Sequence, residues 1–407
     1  MLEVIDKCRL CGRAGLRRFL DLGMTPLADR LVVDPEADEL RFPLTVHLCR
    51  HCSLVQVAET VDPGLLFGED YPYYSSVSSA LLEHSRANAD HLIQSRNLSG
   101  DDLVIEIASN DGYLLQFFAR QGIPVLGIDP TPGPAAVATD RGIPTLVGFF
   151  GSDLADELAR TGKMADVVIA NNVLAHVPDT NGFVAGIRKV LKPRGVAVLE
   201  APYVRDLVEK AAFDTIYHEH LCYFSATALS ALFGRNGLTL HHVERTPIHG
   251  GSLRMFVRHQ PGRSESLERL LAEEHDIGLS EFDYYRDFGT TVEGIKTRLI
   301  DLLTALKDRG ERIAAYGAAA KGSTMLNYTG VGTRFLDYVV DLNPYKQGKY
   351  MPGVHLEIRD PRVLLDDMPD YLLVLAWNFI SEITHQQAEY ANRGGRFIVP
   401  VPEPTLV

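Results

Sequence analysis

The sequence has few of the features that mark a secreted or membrane protein. It contains only 5 cysteines in 407 residues, which are too few for disulfides to stabilise a chain of this size. No uninterrupted apolar run approaches the roughly 20 residues that a membrane-spanning helix needs. The first residues carry acids and lack the apolar core of a signal peptide. We therefore expect a cytoplasmic protein with no membrane partner.

Basic residues are also scarce. Lys and Arg total 40 against 53 Asp and Glu, which gives a formal net charge of −13. Binding a nucleic acid needs clustered cations that displace counterions from the phosphates, and the sequence has no basic stripe interleaved with aromatic residues. We expect no nucleic-acid partner, whereas a small anionic ligand is compatible with a local basic pocket.

A chain of 407 residues is too long for one compact core. The pattern of apolar residues and prolines also changes along its length. Residues 1–78 are short segments broken by prolines, without a long helical period. Apolar strands then alternate with amphipathic helices and end in a hairpin. A charged helical stretch from about 264 to 309, interpreted as mostly solvated surface, precedes a second alternation.

This pattern predicts an α/β protein with three units: a small N-terminal module (1–78), a Rossmann-like domain (79–260) and a second Rossmann-like domain (261–407). The predicted parallel strands are Leu103–Ile107, Val125–Asp129, Val167–Ala170 and Val196–Glu200 in the first domain, and Ile313–Tyr316, Leu336–Asp341, Tyr371–Ala376 and Arg396–Pro400 in the second.

Four of the five cysteines form two Cys-x-x-Cys pairs, Cys8 with Cys11 and Cys49 with Cys52. Each pair places two thiolates on a tight turn, which is half of a tetrahedral zinc site. Two such pairs form a closed shell without an open position, so the sequence predicts structural zinc. The alternatives are unrelated buried or redox thiols, or a site in which His51 replaces one cysteine.

The first strand of the first domain ends in a turn where a nucleotide-like ligand lies in doubly wound sheets. Glu106 is in that strand, Ala108 stands where a glycine is expected, and Asp111 and Gly112 close the turn. A dinucleotide needs glycines there for its pyrophosphate. S-adenosylmethionine has no phosphate, and its cationic ammonium and sulfonium groups tolerate an acid. We therefore predict S-adenosylmethionine over the alternative of NAD.

Two later strand ends extend this cofactor site. Asp129 ends the second strand about 20 residues after the turn, where an acid is placed to bond both ribose hydroxyls. Asn171 and Asn172 end the fourth strand, whose loop covers the methionine moiety in such folds.

The segment Tyr217-His218-Glu219-His220 concentrates groups that can move protons. Histidine is the side chain whose ordinary pKa best suits proton abstraction near neutrality, and Glu219 could orient a partner or bind a hydroxyl. A metal site and satisfied structural histidines are the alternatives.

At these residues the sequence resembles the sugar C-methyltransferases, which methylate carbon 3 of dTDP-4-keto-deoxysugars in antibiotic biosynthesis. The resemblance covers essentially the whole chain. Besides the cysteine pairs and Glu106–Gly112, its motifs are Tyr71–Ser76, Asn171–His176, Tyr217–His220, Tyr223–Ser225, His249–Gly251, Tyr316–Lys321, Asp341–Pro344, Pro352-Gly353 and Ala376–Asn378.

The resemblance implies roles for individual residues. His220 would be the base, with Tyr217 and Glu219 beside it, while His176 and Tyr73 would hold the sugar and the developing oxyanion. Family members vary at the position of His218, so either histidine could act.

The resemblance also places the nucleotide of the sugar mainly in the C-terminal domain. The turn from Tyr316 opens a helix, which suits a diphosphate at its N-terminus with Lys321 as counter-charge. Asn378 and His249 are further candidates for the substrate, and the alternative for Lys321 is an exposed lysine beside a packing turn.

The predicted function is therefore S-adenosylmethionine-dependent C-methylation of a nucleotide 4-ketosugar. The alternatives are an O- or N-methyltransferase of another small molecule, an RNA-modifying protein and a non-catalytic assembly factor.

Overall fold

The computed structural model describes residues 2–68 and 71–407, without the side chain of His249. Within this part of the chain, no helix combines the length and apolarity needed to cross a membrane.

The N-terminal region is built of antiparallel strands and one short helix. Its elements are β1 (Leu2–Val4), β2 (Leu16–Pro26), β3 (Arg41–Cys49), β4 (Val55–Val57), β5 (Glu59–Val61) and α1 (Pro63–Leu66). Strands β2, β3 and β4 are neighbours in one sheet, and β1 pairs with β5. Along β3, buried residues alternate with more exposed ones, which is the pattern of a strand with one face on a core.

A seven-stranded sheet forms the centre of the chain. The elements of this region, whose strands all belong to the sheet except β11, are α2 (Ser79–Arg96), β6 (Val104–Ile107), α3 (Leu115–Ala119), β7 (Val125–Asp129), α4 (Pro132–Asp140), β8 (Thr145–Val147), α5 (Ser152–Arg160), β9 (Ala165–Asn171), α6 (Thr180–Val190), β10 (Leu191–Pro202), α7 (Val204–Glu209), β11 (Cys222–Tyr223), α8 (Ala226–Arg235), β12 (Thr239–Thr246) and β13 (Ser252–Arg258).

The strand order of this sheet is β12-β13-β10-β9-β6-β7-β8. All neighbours are parallel except β13, which runs antiparallel to both β10 and β12. The order reverses between β6 and β9, so the crevice for a ligand lies at the carboxyl ends of these two strands. This sheet confirms the predicted Rossmann-like domain with its terminal hairpin.

The two-residue strand β11 lies in the chain between strands of the central sheet but pairs with β4 of the N-terminal sheet, Cys222 opposite Gln56 and Tyr223 opposite Val55. The segment 213–221, which leads into β11, is thereby held between the two sheets. Nothing in the sequence indicates this pairing, because a two-residue strand has no periodicity.

The charged stretch after the hairpin forms α9 (Glu265–Asp276), α10 (Phe282–Tyr285) and α11 (Phe288–Asp308). It is less solvated than we predicted. Glu274 is fully buried and accepts hydrogen bonds from the Tyr203 hydroxyl (3.0 Å) and from the backbone N–H of Ala226 (2.7 Å). Helix α9 is therefore fixed to the central domain by a buried carboxylate.

The C-terminal region confirms a second Rossmann-like sheet, of order β16-β15-β14-β17-β18-β19. Its elements are β14 (Ile313–Tyr316), α12 (Ala320–Thr329), β15 (Val339–Val340), β16 (Ile358–Arg359), α13 (Val363–Asp367), β17 (Tyr371–Val374), α14 (Ile380–Gln386), α15 (Ala388–Asn392), β18 (Arg396–Val399) and β19 (Thr405–Leu406). The strands are parallel except β19, and the order reverses between β14 and β17. The exact limits of the three units stay a prediction.

Candidate active site

The four paired cysteines come together in the N-terminal region. Their sulfur atoms all lie within 4.8 Å of one another, with Cys8 Sγ 3.5 Å from Cys52 Sγ and Cys11 Sγ 3.6 Å from Cys49 Sγ. Zinc–sulfur bonds of about 2.3 Å in a tetrahedron need sulfur–sulfur distances of roughly 3.8 Å. His51 is exposed and outside this cluster. The donor set fits zinc bound by four thiolates, without an open position for chemistry.

The zinc cluster is linked to the segment that precedes β11. The fully buried Gln56 donates from Nε2 to Cys8 Sγ (3.2 Å) and accepts the backbone N–H of Arg9 at Oε1 (3.1 Å). Gln56 is also the residue opposite Cys222 in the sheet. The metal centre therefore stabilises the strand at which the segment 213–221 ends.

Buried polar atoms without hydrogen-bond partners collect at the carboxyl ends of β6 and β9. Among the described residues, Asp111 Oδ1 and Asn171 Oδ1 have no partner, and the Glu106 oxygens make no hydrogen bond of normal geometry although the Tyr113 hydroxyl and the Leu115 N–H lie near them. Burial, together with the negative charges of Asp129 and Asp111, raises the pKa of Glu106 well above its usual 4.5. Buried polar groups normally have partners, so this row of acceptors is suited to a cationic ligand. The ammonium and sulfonium of S-adenosylmethionine fit this requirement.

The turn after β6 adopts left-handed backbone conformations. Ala108 has φ +60° where a glycine would be unstrained, and Gly112 has φ +76°. The Asp129 carboxylate accepts the N–H groups of Asn110 (2.8 Å) and Thr131 (2.9 Å) and also the Thr131 hydroxyl. A carboxylate has about four acceptor positions. Asp129 thus holds its own loop and retains about one position, so binding of both ribose hydroxyls would require one of these bonds to open.

The turn also holds the aromatic segment Tyr71–Ser76. Asn110 donates to the Tyr73 carbonyl (3.1 Å) and accepts the N–H of Ser75 (2.9 Å). Asp111 accepts the Ser76 hydroxyl and pairs with Arg141 at 3.2 Å. Asp111, predicted as a cofactor residue, therefore anchors the segment that brings the exposed Tyr73 ring to this edge of the sheet.

Two of the predicted catalytic residues contact the imidazole of a third, His220. The Tyr217 hydroxyl lies 2.9 Å from His220 Nε2, and His220 Nδ1 lies 2.8 Å from the Thr215 carbonyl oxygen. A carbonyl can only accept, so Nδ1 of the neutral ring carries the hydrogen and Nε2 is the acceptor. The His176 ring packs edge-on to His220 with centroids 4.7 Å apart, and burial lowers the pKa of His176 to about 4. His176 is therefore neutral at pH 7.

The neighbours of His220 in sequence point to different surroundings. His218 is fully buried, lies with Nε2 3.0 Å from the Pro43 carbonyl and packs against Phe42 in the N-terminal sheet. Glu219 is 3% exposed, and burial, followed by the nearby Asp29, raises its pKa to about 8. The structure thus separates His218 from Tyr217 and His220, and it keeps Glu219 mostly protonated at neutral pH.

At the switch point of the C-terminal sheet, Lys321 Nζ donates to Asn378 Oδ1 at 2.6 Å. Helix α12 begins beside it without a side-chain cap, while the N–H of Ala318 just before the helix is bonded to Asp341 Oδ2 at 2.7 Å. Tyr316 is 4% exposed, and its hydroxyl donates to Gln386 Oε1 at 3.2 Å, so its side chain is packed into the protein beside this switch point. The predicted role of the His249 side chain lies outside the described residues.

Sequence reasoning assigned no role to three residues around this site. Asp29 lies near Glu219, and burial raises the pKa of Asp29 while the charge of Lys346 opposes the shift. Asp214 and Trp377 are joined by a hydrogen bond from Nε1 to Oδ2 of 2.6 Å. Only Trp377, the single tryptophan of the chain, offered a signal in the sequence.

Comparison with known proteins agrees with this arrangement. Three family models match successive parts of the chain: “Putative zinc binding domain” over 8–67, “Methyltransferase domain” over 82–243 and “C-methyltransferase C-terminal domain” over 247–402. The C-methyltransferase NovU of Streptomyces niveus is 36% identical over 412 residues, which cover 100% of this chain and 98% of NovU. The chain belongs to the C-methyltransferase family. Its methyl donor is S-adenosylmethionine, and its cysteine cluster is a zinc centre.

Other relatives match this C-methyltransferase over shorter regions. A ubiquinone biosynthesis O-methyltransferase of Azorhizobium caulinodans is 31% identical over 97 residues, 24% of this chain and 38% of that protein. The magnesium protoporphyrin IX methyltransferase of Synechocystis PCC 6803 with bound S-adenosylmethionine is 17% identical over 44% of this chain and 79% of its own, with a TM-score of 0.33. At this TM-score the likeness adds nothing to the family assignment.

Proposed function

We propose that this C-methyltransferase removes the proton from carbon 3 of a dTDP-4-keto-deoxysugar and methylates the resulting enolate. The observation that carries the proposal is the defined tautomer of His220. An imidazole whose Nδ1 hydrogen is bound to a carbonyl has its basic nitrogen at Nε2, which makes His220 a pre-oriented proton acceptor.

The substrate class is that of the sugar C-methyltransferases which the sequence resembles, and it is one that a histidine base can deprotonate. A carbon acid must be activated before an imidazole can take its proton, and a ketone at carbon 4 provides this activation at carbon 3. The electron pair of the broken C–H bond moves into the enolate, and its negative charge lies largely on the carbon 4 oxygen. S-adenosylmethionine, when bound, supplies an electrophilic methyl group.

Donors for the enolate oxygen are available around His220. The Tyr217 hydroxyl donates its single hydrogen to His220 Nε2 at 2.9 Å in this structure, so it would have to turn from Nε2 to the enolate oxygen before His220 can act as the base. A protonated Glu219 carboxyl can also donate because its pKa is about 8. Neutral His176 and the Tyr73 hydroxyl are further candidates. Pre-placed donors at a developing oxyanion are usually the largest catalytic contribution.

The nucleotide diphosphate is assigned to the C-terminal switch point. Lys321 supplies the counter-charge, Asn378 supplies an amide, and the uncapped start of α12 supplies N–H groups. The sugar would then extend from this domain toward His220, since Asp214 and Ile216 of the segment 213–221 contact the same elements.

The test is incubation with a panel of nucleotide 4-ketosugars and S-adenosylmethionine, followed by mass spectrometry and location of the new methyl group on carbon. In deuterated water without S-adenosylmethionine, we expect His220-dependent exchange of the hydrogen at carbon 3. Methylation on oxygen or nitrogen, without such exchange, would instead identify a different methyl acceptor.

A further inference from the structure

The Thr215 carbonyl fixes the His220 ring and also accepts the Tyr223 hydroxyl at 3.3 Å, and the residues on either side of Thr215 are bonded to the C-terminal domain. On one side, Asp214 Oδ2 accepts the indole N–H of Trp377 at 2.6 Å. On the other side, the Ile216 carbonyl accepts the hydroxyl of Thr324 at 3.0 Å. Three consecutive residues thus alternate between contact with the C-terminal domain and contact with the base.

Both contacts are buried. Asp214 is 0% exposed, Thr324 is 4% exposed and Trp377 is 9% exposed. Losing a donor in such surroundings leaves the acceptor without water as a replacement, so each bond strongly restricts the position of its partner. The segment 214–216 therefore has little freedom to move relative to the C-terminal domain.

The two donors stand next to the residues assigned to the diphosphate. Thr324 lies on α12 three residues after Lys321, and Trp377 directly precedes Asn378. The Lys321 ammonium also lies 5.2 Å from the centre of the Trp377 ring. The elements that would bind the nucleotide are the same ones that hold the backbone around Thr215.

We propose that Trp377 and Thr324 are positioning residues, which set the tautomer and orientation of His220 from the C-terminal domain by holding Asp214 and Ile216. This inference rests on the proposed function for the role of His220 as base. It explains why a C-methyltransferase whose base belongs to the central domain would need the C-terminal domain for proton abstraction as well as for binding.

Thr324 provides the sharpest test, because the chain offers a matched control on the same helix. Thr324→Val keeps the shape and removes the hydroxyl, and Thr324→Ser retains the hydroxyl. Thr329→Val is the control, since Thr329 is also buried but donates to the carbonyl of Met325 in its own helix at 2.7 Å. Trp377→Phe removes the other donor.

The measurements are deuterium exchange at carbon 3, dTDP binding by calorimetry, thermal stability and the ¹⁵N spectrum of labelled histidines. The His220 signal is assigned with His220→Asn. We expect Thr324→Val and Trp377→Phe to lower the exchange rate about tenfold or more, with the Kd of dTDP within about threefold of wild type. The Nδ1-protonated signal of His220 should weaken in both variants and should return in Thr324→Ser.

Equal losses of exchange in Thr324→Val and Thr329→Val would overturn the positioning role, and so would an unchanged His220 tautomer in Thr324→Val. The positioning role would also be overturned if Thr324→Ser did not restore the Nδ1-protonated signal of His220. The proposed function fails separately, when the wild-type protein neither binds dTDP nor exchanges the sugar hydrogen. The tautomer spectrum still tests the backbone contacts in that case, because it requires no substrate.

Discussion

Two buried glutamates of the central sheet should respond to the same substitution in opposite ways. Glu106 on β6 makes no hydrogen bond of normal geometry among the described residues, and burial raises its pKa well above 4.5 even though the nearby Leu115 N–H and Tyr113 hydroxyl oppose the rise. A raised carboxyl pKa destabilises the fold as pH rises above the pKa of the unfolded chain, by about 1.4 kcal/mol for each tenfold change in the acid dissociation constant. Glu106→Gln should therefore raise the melting temperature of the ligand-free protein at pH 7 to 8.

The gain in stability should be accompanied by a loss of cofactor affinity. If the Glu106 carboxylate pairs with a cationic group of S-adenosylmethionine, its removal should cost about 1.5 to 3 kcal/mol, or about 10- to 100-fold in Kd. The stability difference should disappear at pH values below about 4.5, where the carboxyl is protonated in both folded and unfolded chains. Differential scanning fluorimetry across pH and calorimetric titration with S-adenosylmethionine measure the two effects.

Glu200 on β10 is the control for this experiment. It is 1% exposed, but it accepts Arg254 Nε at 2.6 Å and lies 2.9 Å from His84 Nε2. Burial alone would raise its pKa, yet the bond from His84 and the charge of Arg254 hold the pKa below 4.5. Glu200→Gln should lower the melting temperature, because it removes the closer of the two carboxylates that face Arg254 and leaves only Glu244, at 3.7 Å. A melting temperature lowered equally by both variants would refute the reasoning on Glu106.

The remaining predictions concern the base, its neighbour and the metal. His220→Asn should lower turnover by about 10²- to 10⁴-fold with little change in substrate or cofactor Kd, whereas His218→Asn should mainly affect stability. Steady-state kinetics and calorimetry of both variants check these expectations. Glu219 loses its proton as the pH rises through about 8, so turnover should fall above that pH. Glu219→Gln should flatten this alkaline limb of the pH–rate profile. An unchanged profile in the variant would contradict a donor role for Glu219. Elemental analysis should find about one zinc per chain, and removing it should lower the melting temperature before chemistry is affected; active protein free of zinc would rule this out.

The parts of the site that the sequence predicted depend on local patterns. A Cys-x-x-Cys pair brings two thiolates together within one turn. Glu106 and Asp129 lie at the ends of strands whose positions follow from apolar runs, and Gly112 lies in the turn after the first of them. Parallel strands bring such ends to one edge of a sheet, so local pattern and topology together were sufficient. Their individual contacts were not predictable: Asp129 and Asp111 mainly hold the protein's own loops.

The missed residues depend on contacts between distant parts of the chain. Asp214 and Trp377 are 163 positions apart, and His218 and Pro43 are 175 apart. The periodicity or residue spacing within one segment cannot indicate contacts between residues so far apart in the sequence. For the same reason the sequence left the choice between His218 and His220 open, and their contacts now favour His220.

The segment 214–223 explains why the three regions of the chain are not independent modules. Its start is bonded to Trp377 of the C-terminal domain, and its end pairs with Gln56 beside the zinc cluster. His220 lies between these two attachments, at the carboxyl edge of the central sheet where His176 contacts it. A base held only by the central domain would share the mobility of a long loop. Attachment at both ends restricts this loop, so under the proposed function the N-terminal zinc region and the C-terminal domain would each contribute to the geometry of proton abstraction.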